Sequence, residues 1–219
     1  MASAEGHSAL TAVAAAALAA AAFYAVHAAY DWSDERIAAN ERARVVARLN
    51  SVLEPALRGR DLTTTLLAIT DSELLGSNEP VDVFVLTDRG APMATVFATV
   101  APHGYNAAID LLIGVAPIGT VTGVRVVRHR ETHGLGDAID IAKSDWMLQF
   151  DGKALMAPLP ELWAIDQDEG EFDAISGATV TSRAVVAAVK NTLLYFERHR
   201  DELYARAAEA AAAGRANAP

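Results

Sequence analysis

The sequence predicts an α+β domain with an antiparallel sheet, preceded by a single N-terminal transmembrane helix. Three observations lead to this prediction: an uncharged alanine-rich run near the start, period-two alternation of apolar residues between residues 81 and 129, and an apolar stripe at helical spacing after residue 183. The length of 219 residues fits one domain with one or two additional elements.

The composition excludes several classes of protein. Lys and Arg number 18 against 28 Asp and Glu, and the formal charge of −10 argues against a nucleic-acid surface, which needs a basic stripe. The chain has no Cys, so disulfides, thiolate catalysis, iron–sulfur clusters and Cys-ligated zinc are excluded. Any redox chemistry must therefore use a cofactor that other groups hold.

Residues 1–8 are predicted to be a short tail, and the uncharged run Ala9–Tyr30 is the predicted transmembrane helix. Its 22 residues reach about 33 Å, which is enough to cross a bilayer core. A cleavable signal peptide is the alternative, although no Lys or Arg precedes the run. By the positive-inside rule, the arginines after the run favour a cytoplasmic location for the domain. Acidic residues share that stretch, however, and long domains can be translocated regardless of nearby charge. The charges alone therefore do not decide on which side of the membrane the domain lies.

Residues 31–60 are predicted to form a stalk helix, with Trp32 at the membrane interface, Ser33 as its N-cap and Pro55 as an interruption. The next segment, Asp61–Leu75, is also predicted to be helical.

The main domain is predicted to cover residues 61–200. Its strands are predicted from alternating apolar residues at Val81–Leu86, Met93–Val100, Ala108–Val115 and Gly119–His129. One or two short helices are expected within Asp137–Phe150, and a long helix is expected to begin near Arg183. Residues 201–219 are predicted to be a C-terminal helix and tail.

The segment before the last helix, Asp173–Ser182, reads DAISGATVTS and concentrates hydroxyl groups. Gly177 permits close backbone approach, and the free N–H groups at a helix N-terminus suit a phosphate. An ordinary N-cap formed by Thr181 or Ser182 is the alternative interpretation.

A second segment, Glu131–Asp137, reads ETHGLGD and is followed by KSDW at residues 143–146. Its glycine turn lets backbone press against a planar ligand, with Leu135 offering an apolar contact. A plain loop is the alternative. The pair His129 and His133 suggests a metal enzyme as a further alternative, although Arg130 stands where the zinc-protease motif needs Glu.

Taken together, these segments resemble the G subunit of Rnf-type electron-transport complexes, and the related C subunit of sodium-translocating NADH:quinone oxidoreductases. The family signature reads ETPGLGD…KSDW and SGAT. Gly104-Tyr105 and the strand GVRVVRHRE also match it in order and spacing. The resemblance covers most of the chain. His133 stands where the family usually has proline, which loosens the turn.

The resemblance implies an FMN-binding domain with FMN joined covalently to Thr179 through a phosphoester, with Thr181 as the second choice. A flavin transferase would attach the group from FAD, with Asp173 contributing to its recognition. The remaining cofactor-binding residues that the resemblance and the two motifs indicate are Ser176, Gly177, Ala178, Glu131, Thr132, Gly134, Leu135, Gly136, Lys143 and Trp146. No catalytic residue and no metal are expected.

The same resemblance implies a membrane-anchored flavoprotein that relays electrons within an Rnf-type complex, which couples electron transfer between ferredoxin and NAD to ion movement. Its partners would be the other subunits of that complex and the flavin transferase. The implied place is the bacterial inner membrane, single-pass, with the flavin domain on the periplasmic side. A membrane-anchored binding or assembly module, in which SGAT is only a helix cap, remains the alternative.

Overall fold

The computed structural model describes residues 23–24, 44–60 and 62–216. The chain divides into two compact units, Met1–Ala47 and Arg48–Pro219. Residues 23–24 are helical, and helix α1 covers residues 44–52 of the described chain. The predicted transmembrane helix, apart from residues 23–24, and the first part of the stalk lie outside the described residues. Within the described part, no helix combines the length and apolar character that a membrane span requires.

The second unit is built on one antiparallel sheet in which strands that follow each other along the chain are also neighbours in space. The strands are β1 Thr63–Asp71, β2 Ser77–Asp88, β3 Ala91–Ala101, β4 Ile109–Val115 and β5 Val121–Arg128. The predicted antiparallel α+β domain is therefore confirmed, and the four strands predicted from alternation correspond to β2 through β5.

The predicted helix over Asp61–Leu75 is wrong, because this segment supplies the first strand. Thr65, Leu67 and Ile69 point into the core while the residues between them are exposed, which is the period of a strand. They pair with Val85, Val83 and Val81 of β2. Three consecutive threonines at the start of the segment also favour the extended state, since branching at Cβ restricts side-chain rotation in a helix.

One face of the sheet is covered by helix α2, which spans Thr179–Ala216. Its apolar stripe packs onto the inward-facing residues of the strands in the larger core cluster. Phe97 on β3 is central to this contact, because its ring meets the edges of Tyr195 and Phe196 with centroids 6.1 and 6.3 Å apart. The helix starts four residues before Arg183, where the sequence pattern placed its beginning, and continues without a break past residue 201.

The opposite face of the sheet is covered by the last turn of α1 and the turn that follows it. Leu49, Val52, Leu53 and Leu57 join a second core cluster with apolar residues of β2, β3 and β4. The backbone there lies so close to the sheet that a Cβ atom on Gly114 would collide with the Val52 carbonyl oxygen. Thr122 on β5 donates to the same oxygen at 2.5 Å.

Residues 129–178 connect β5 to α2 through loops and four 3-10 helices. The helices cover Gly136–Ile139, Asp145–Phe150, Pro160–Leu162 and Asp166–Asp168, and the first two confirm the short helices predicted within Asp137–Phe150. An aromatic cluster of Trp146, Phe150, Phe172 and Trp163 holds this region together, with neighbouring ring centroids 4.7 to 5.6 Å apart. The connection brings the two glycine-containing motifs to the start of α2.

Candidate functional site

The turn that precedes α2 is folded back on the helix by Ser182. The Ser182 hydroxyl accepts a hydrogen bond from the Ile175 N–H at 2.9 Å and lies 3.2 Å from the Ala178 carbonyl oxygen, to which it donates. Gly177 adopts φ +77°, which is a left-handed conformation that glycine allows without strain. The SGAT segment is consequently held as a defined turn at the helix N-terminus.

The hydroxyl groups of this segment divide into exposed and buried sets. Thr179 is the first residue of α2, and its Oγ1 donates outward to Gln167 Oε1 at 3.3 Å. Thr181 is only 1% exposed, and its hydroxyl donates to the Glu131 carboxylate. Of these two threonines, Thr179 is therefore the one whose oxygen an incoming group can reach.

The ETHGLGD loop forms a tight turn around Asp137. Gly134, at φ +77°, donates its N–H to Asp137 Oδ1 at 2.8 Å, and the N–H groups of Leu135 and Asp137 both donate to the Thr132 carbonyl oxygen. Burial by itself would raise the pKa of Asp137. The hydrogen bonds from His133 and Gly134, together with the nearby Lys143 charge, outweigh burial and hold that pKa below its usual value.

Glu131 lies at the junction of the two motifs and a third segment. Its side chain is 4% exposed and accepts hydrogen bonds from the Tyr105 N–H at 3.3 Å, the Asn106 N–H at 3.1 Å and the Thr181 hydroxyl. One carboxylate thus joins the loop before β4, the ETHGLGD loop and α2.

These three segments enclose a cavity of about 470 Å³, which falls within the range of small-molecule sites. It is lined by Tyr105, Glu131, Thr132, Leu135, Gly136, Gly177, Ala178, Thr179, Val180 and Thr181. Eight of these residues are among those singled out in the sequence. Tyr105 and Val180 were not, although the Gly104-Tyr105 pair belongs to the family pattern and Val180 lies between two of the predicted residues.

Five of the residues singled out in the sequence do not line the cavity. Ser176 and Gly134 lie beside lining residues. Lys143 Nζ is 4.0 Å from Asp137 Oδ2 and so supports the ETHGLGD turn from outside. The Trp146 indole N–H donates to the Asp173 carbonyl oxygen at 2.8 Å, so these two residues brace the segment leading into SGAT.

The alternative metal site is not assembled in the described part of the chain. His129 Nδ1 accepts from the Glu131 N–H at 3.1 Å, whereas His133 Nδ1 faces Asp137 at 3.4 Å. Among the described residues, no group of three or more His, Asp or Glu side chains is placed to hold a metal ion. In the acidic run after residue 165, Asp168 pairs with Arg183 and Glu171 with Lys153.

The cavity has the chemistry that FMN requires. Tyr105, Leu135 and Val180 are 67%, 45% and 44% exposed, and they give the cavity an uncovered apolar wall suited to a planar ring. The N-terminus of α2 supplies N–H groups and a partial positive charge suited to a phosphate. The residues present therefore fit this group.

Comparison with known proteins identifies the class. The family model described as the FMN-binding domain matches residues 104–194, a range that includes every residue lining the cavity. The segment that carries the cavity thus matches an FMN-binding domain.

Relatives that match over about four-fifths of their length define the family more narrowly. The chain is 38% identical over 174 residues to the G subunit of the ion-translocating oxidoreductase complex of Shewanella loihica, covering 80% of this chain and 82% of the relative. It is 38% identical over 175 residues to the G subunit of Vibrio cholerae, covering 80% and 83%. The chain belongs to the G-subunit family of the Rnf-type ion-translocating oxidoreductase complexes, as the motifs predicted.

The chain is also similar to a solved crystal structure, that of the C subunit of the Na⁺-translocating NADH-quinone reductase from Parabacteroides distasonis. The two chains are 21% identical, and the match covers 68% of this chain and 86% of the other with a TM-score of 0.45.

Proposed function

We propose that this chain relays electrons through an FMN that is esterified by its phosphate to Thr179. It would do so as a membrane-anchored subunit of an Rnf-type complex that couples electron transfer between ferredoxin and NAD to ion translocation. The observation that carries the proposal is the outward-facing hydroxyl of Thr179, which lies at the first residue of α2 and on the wall of the FMN-binding domain's cavity.

The geometry favours Thr179 over Thr181 as the attachment residue. Thr181 is buried and its hydroxyl is already engaged by Glu131, so modifying it would require that contact to break. Thr179 contacts only the exposed Gln167 amide through its hydroxyl. The first-turn N–H groups of α2 lie at the same end of the helix and would stabilise the charge of a phosphodiester there.

Attachment is a phosphoryl transfer from FAD. The Thr179 oxygen forms a bond to the phosphorus of the FMN half, the bond to the bridging oxygen breaks, and AMP leaves. The hydroxyl proton passes to a base of the flavin transferase. The flavin supplies one- or two-electron transfer when bound, while the chain provides position and electrostatics. A tethered group is not lost by dissociation, so the ring can remain partly uncovered for exchange with neighbouring subunits.

The proposed location is the bacterial inner membrane, with Ala9–Tyr30 as the single span and the flavin domain on the periplasmic side. Membership of the G-subunit family supports a membrane-associated complex. The proposed partners are the other subunits of that complex and the flavin transferase.

The test is to replace Thr179 by Ala and to co-express the chain with a flavin transferase. The wild-type chain is expected to fluoresce as flavin after denaturing electrophoresis and to gain the mass of FMN less one water. The Thr179→Ala variant is expected to lose both signals and to keep its fold, because the hydroxyl makes one exposed contact. Thr179→Ser and Ser176→Ala serve as controls, because both variants keep a hydroxyl group at residue 179.

Retention of the adduct in Thr179→Ala, with loss in Thr181→Ala, would move the attachment to Thr181. A wild-type chain without added mass from such a cell would instead favour the assembly module, in which Ser182 merely closes the turn at the helix start.

A further inference from the structure

The Glu131 carboxylate is almost completely buried, yet its hydrogen-bond partners are all uncharged. Two are backbone N–H groups, of Tyr105 and Asn106, and the third is the Thr181 hydroxyl. Among the described residues, no Lys, Arg or His nitrogen lies within ion-pair distance of this carboxylate. A buried carboxylate in this situation is stabilised by hydrogen bonds alone, so its charge is not cancelled by a cation.

The surroundings of Glu131 leave little freedom for the side chain to move. A Cβ atom on Gly136 would lie 2.9 Å from the Glu131 Cβ, and one on Gly104 would lie 3.1 Å from Glu131 Oε1. Both glycines therefore allow backbone to close directly around the carboxylate. The carboxylate in turn lines the cavity together with Tyr105 and Thr181.

We propose that Glu131 is a positioning residue with an electrostatic role: it fixes the three segments that enclose the cavity, and its negative charge lowers the reduction potential of the group bound there. Only the second part of this inference, the effect on the reduction potential, rests on the proposed function. Electron uptake adds negative charge within the cavity, and a fixed carboxylate at the wall opposes that change.

A carboxylate suits this position better than its neutral isostere. An ionised carboxylate only accepts hydrogen bonds, and all three neighbours are donors. Replacing Glu131 by Gln keeps the size of the side chain but turns one oxygen into an NH₂ group, which must face an N–H or O–H donor. At least one of the three hydrogen bonds is then lost, and the charge disappears.

The first measurement uses the full chain without flavin. In Glu131→Gln, amide hydrogen exchange is expected to accelerate about tenfold at Tyr105 or Asn106, whichever N–H faces the new NH₂ group, because a lost hydrogen bond to a charged group is worth about 1.5 kcal/mol or more. Glu161→Gln is the matched control, since it removes the same charge from an exposed site outside the cavity. Unchanged exchange at Tyr105 and Asn106 in Glu131→Gln would overturn the positioning role.

The second measurement uses the flavinylated chain. The midpoint potential of Glu131→Gln is expected to be more positive than that of wild type, whereas Glu161→Gln is expected to leave it unchanged. Equal potentials in the wild type and Glu131→Gln would overturn the electrostatic role. If Glu131→Gln does not fold, Glu131→Asp tests the positioning role: the shorter side chain no longer reaches all three donors, so faster exchange at Tyr105 or Asn106 is expected, and unchanged exchange would overturn that role.

Failure of the proposed function gives a different result from failure of this inference. A wild-type chain that never acquires flavin would contradict the proposed attachment, yet the exchange measurement on that same chain would still decide whether Glu131 holds the three segments together.

Discussion

Asp137 is the residue on which the ETHGLGD turn depends. Its side chain is 8% exposed, and its two oxygens receive the Gly134 N–H at 2.8 Å and face the His133 ring at 3.4 Å. The Asp137 carboxylate, through hydrogen bonds, holds the turn that places Leu135 on the cavity wall.

The charge of Asp137 predicts a pH dependence of stability. Because its pKa in the folded chain lies below the usual 3.8, its contribution is fully present above about pH 4 and is lost as the pH falls below 3.8 through the folded pKa. Asp137→Asn is therefore expected to be less stable than wild type at pH 7, with a smaller difference at pH 3. Urea unfolding at both pH values measures the difference. Asp82→Asn, at an exposed strand position, is the control; an unchanged difference between wild type and Asp137→Asn would contradict the prediction.

The sequence motifs indicated most of the residues that line the cavity. They did not indicate which threonine hydroxyl at the start of α2 is accessible. The resemblance placed Thr179 before Thr181, but the local sequence does not indicate that Thr181 is buried. Their exposure differs because the Thr181 hydroxyl donates a hydrogen bond to Glu131, which lies fifty residues earlier in the chain. Lys143 and Trp146 were singled out by their place in the motif, yet they face Asp137 and Asp173. Contacts between distant segments decide such cases, and a local pattern does not contain them.

At the scale of elements, strands could be predicted where apolar and polar residues alternate strongly. The prediction failed where helix-forming residues obscure that alternation. The stretch Leu66–Ala68 contains good helix formers, but Leu67 and Ile69 face the core only in the extended state that β2 imposes by pairing. The start of α2 was placed late because its first turn is polar. Thr179 and Val180 remain helical because Ser182 folds the preceding turn against the helix.

Two glycines with the same backbone conformation provide a test of this turn. Gly177 and Gly134 both have φ +77°, so replacement of either by Ala is expected to cost about 1 to 2 kcal/mol in the free energy of unfolding. A Cβ on Gly177 would also lie 3.1 Å from Leu135 Cδ2, whereas nothing lies within 4 Å of one on Gly134. We therefore expect only Gly177→Ala to slow flavin attachment, measured as adduct mass against time. Equal attachment rates in the two variants would show that the Leu135 contact is unimportant.

At the scale of the whole second unit, the sheet is covered on both faces, by α2 on one and by residues 49–57 on the other. Composition and alternation predicted the antiparallel α+β domain. They did not predict that the end of the stalk packs onto the sheet, because the apolar residues Leu49, Val52 and Leu53 are equally compatible with a free amphipathic helix.

The second core cluster predicts where the chain can be shortened. A chain that begins at Arg48 is expected to unfold in one cooperative transition, since both clusters are complete within it. A chain that begins at Thr63 loses four buried apolar side chains, each worth about 1.5 to 3 kcal/mol. It is expected to bind a hydrophobic dye and to unfold at much lower urea concentration. Similar urea midpoints for the two chains would contradict this account of the second face.

The position of α2 at the end of the second unit has a consequence for biogenesis. All five strands lie within residues 63–128, so they leave the ribosome well before the helix that covers their larger apolar face. Pairing between consecutive strands is local and needs only short loop closures. The larger apolar face of the nascent sheet therefore stays uncovered until α2 has been synthesised. A chain stalled before residue 179 is prone to aggregation. Since that late segment also carries Thr179, the proposed attachment residue, flavin attachment is expected only after all five strands have been synthesised.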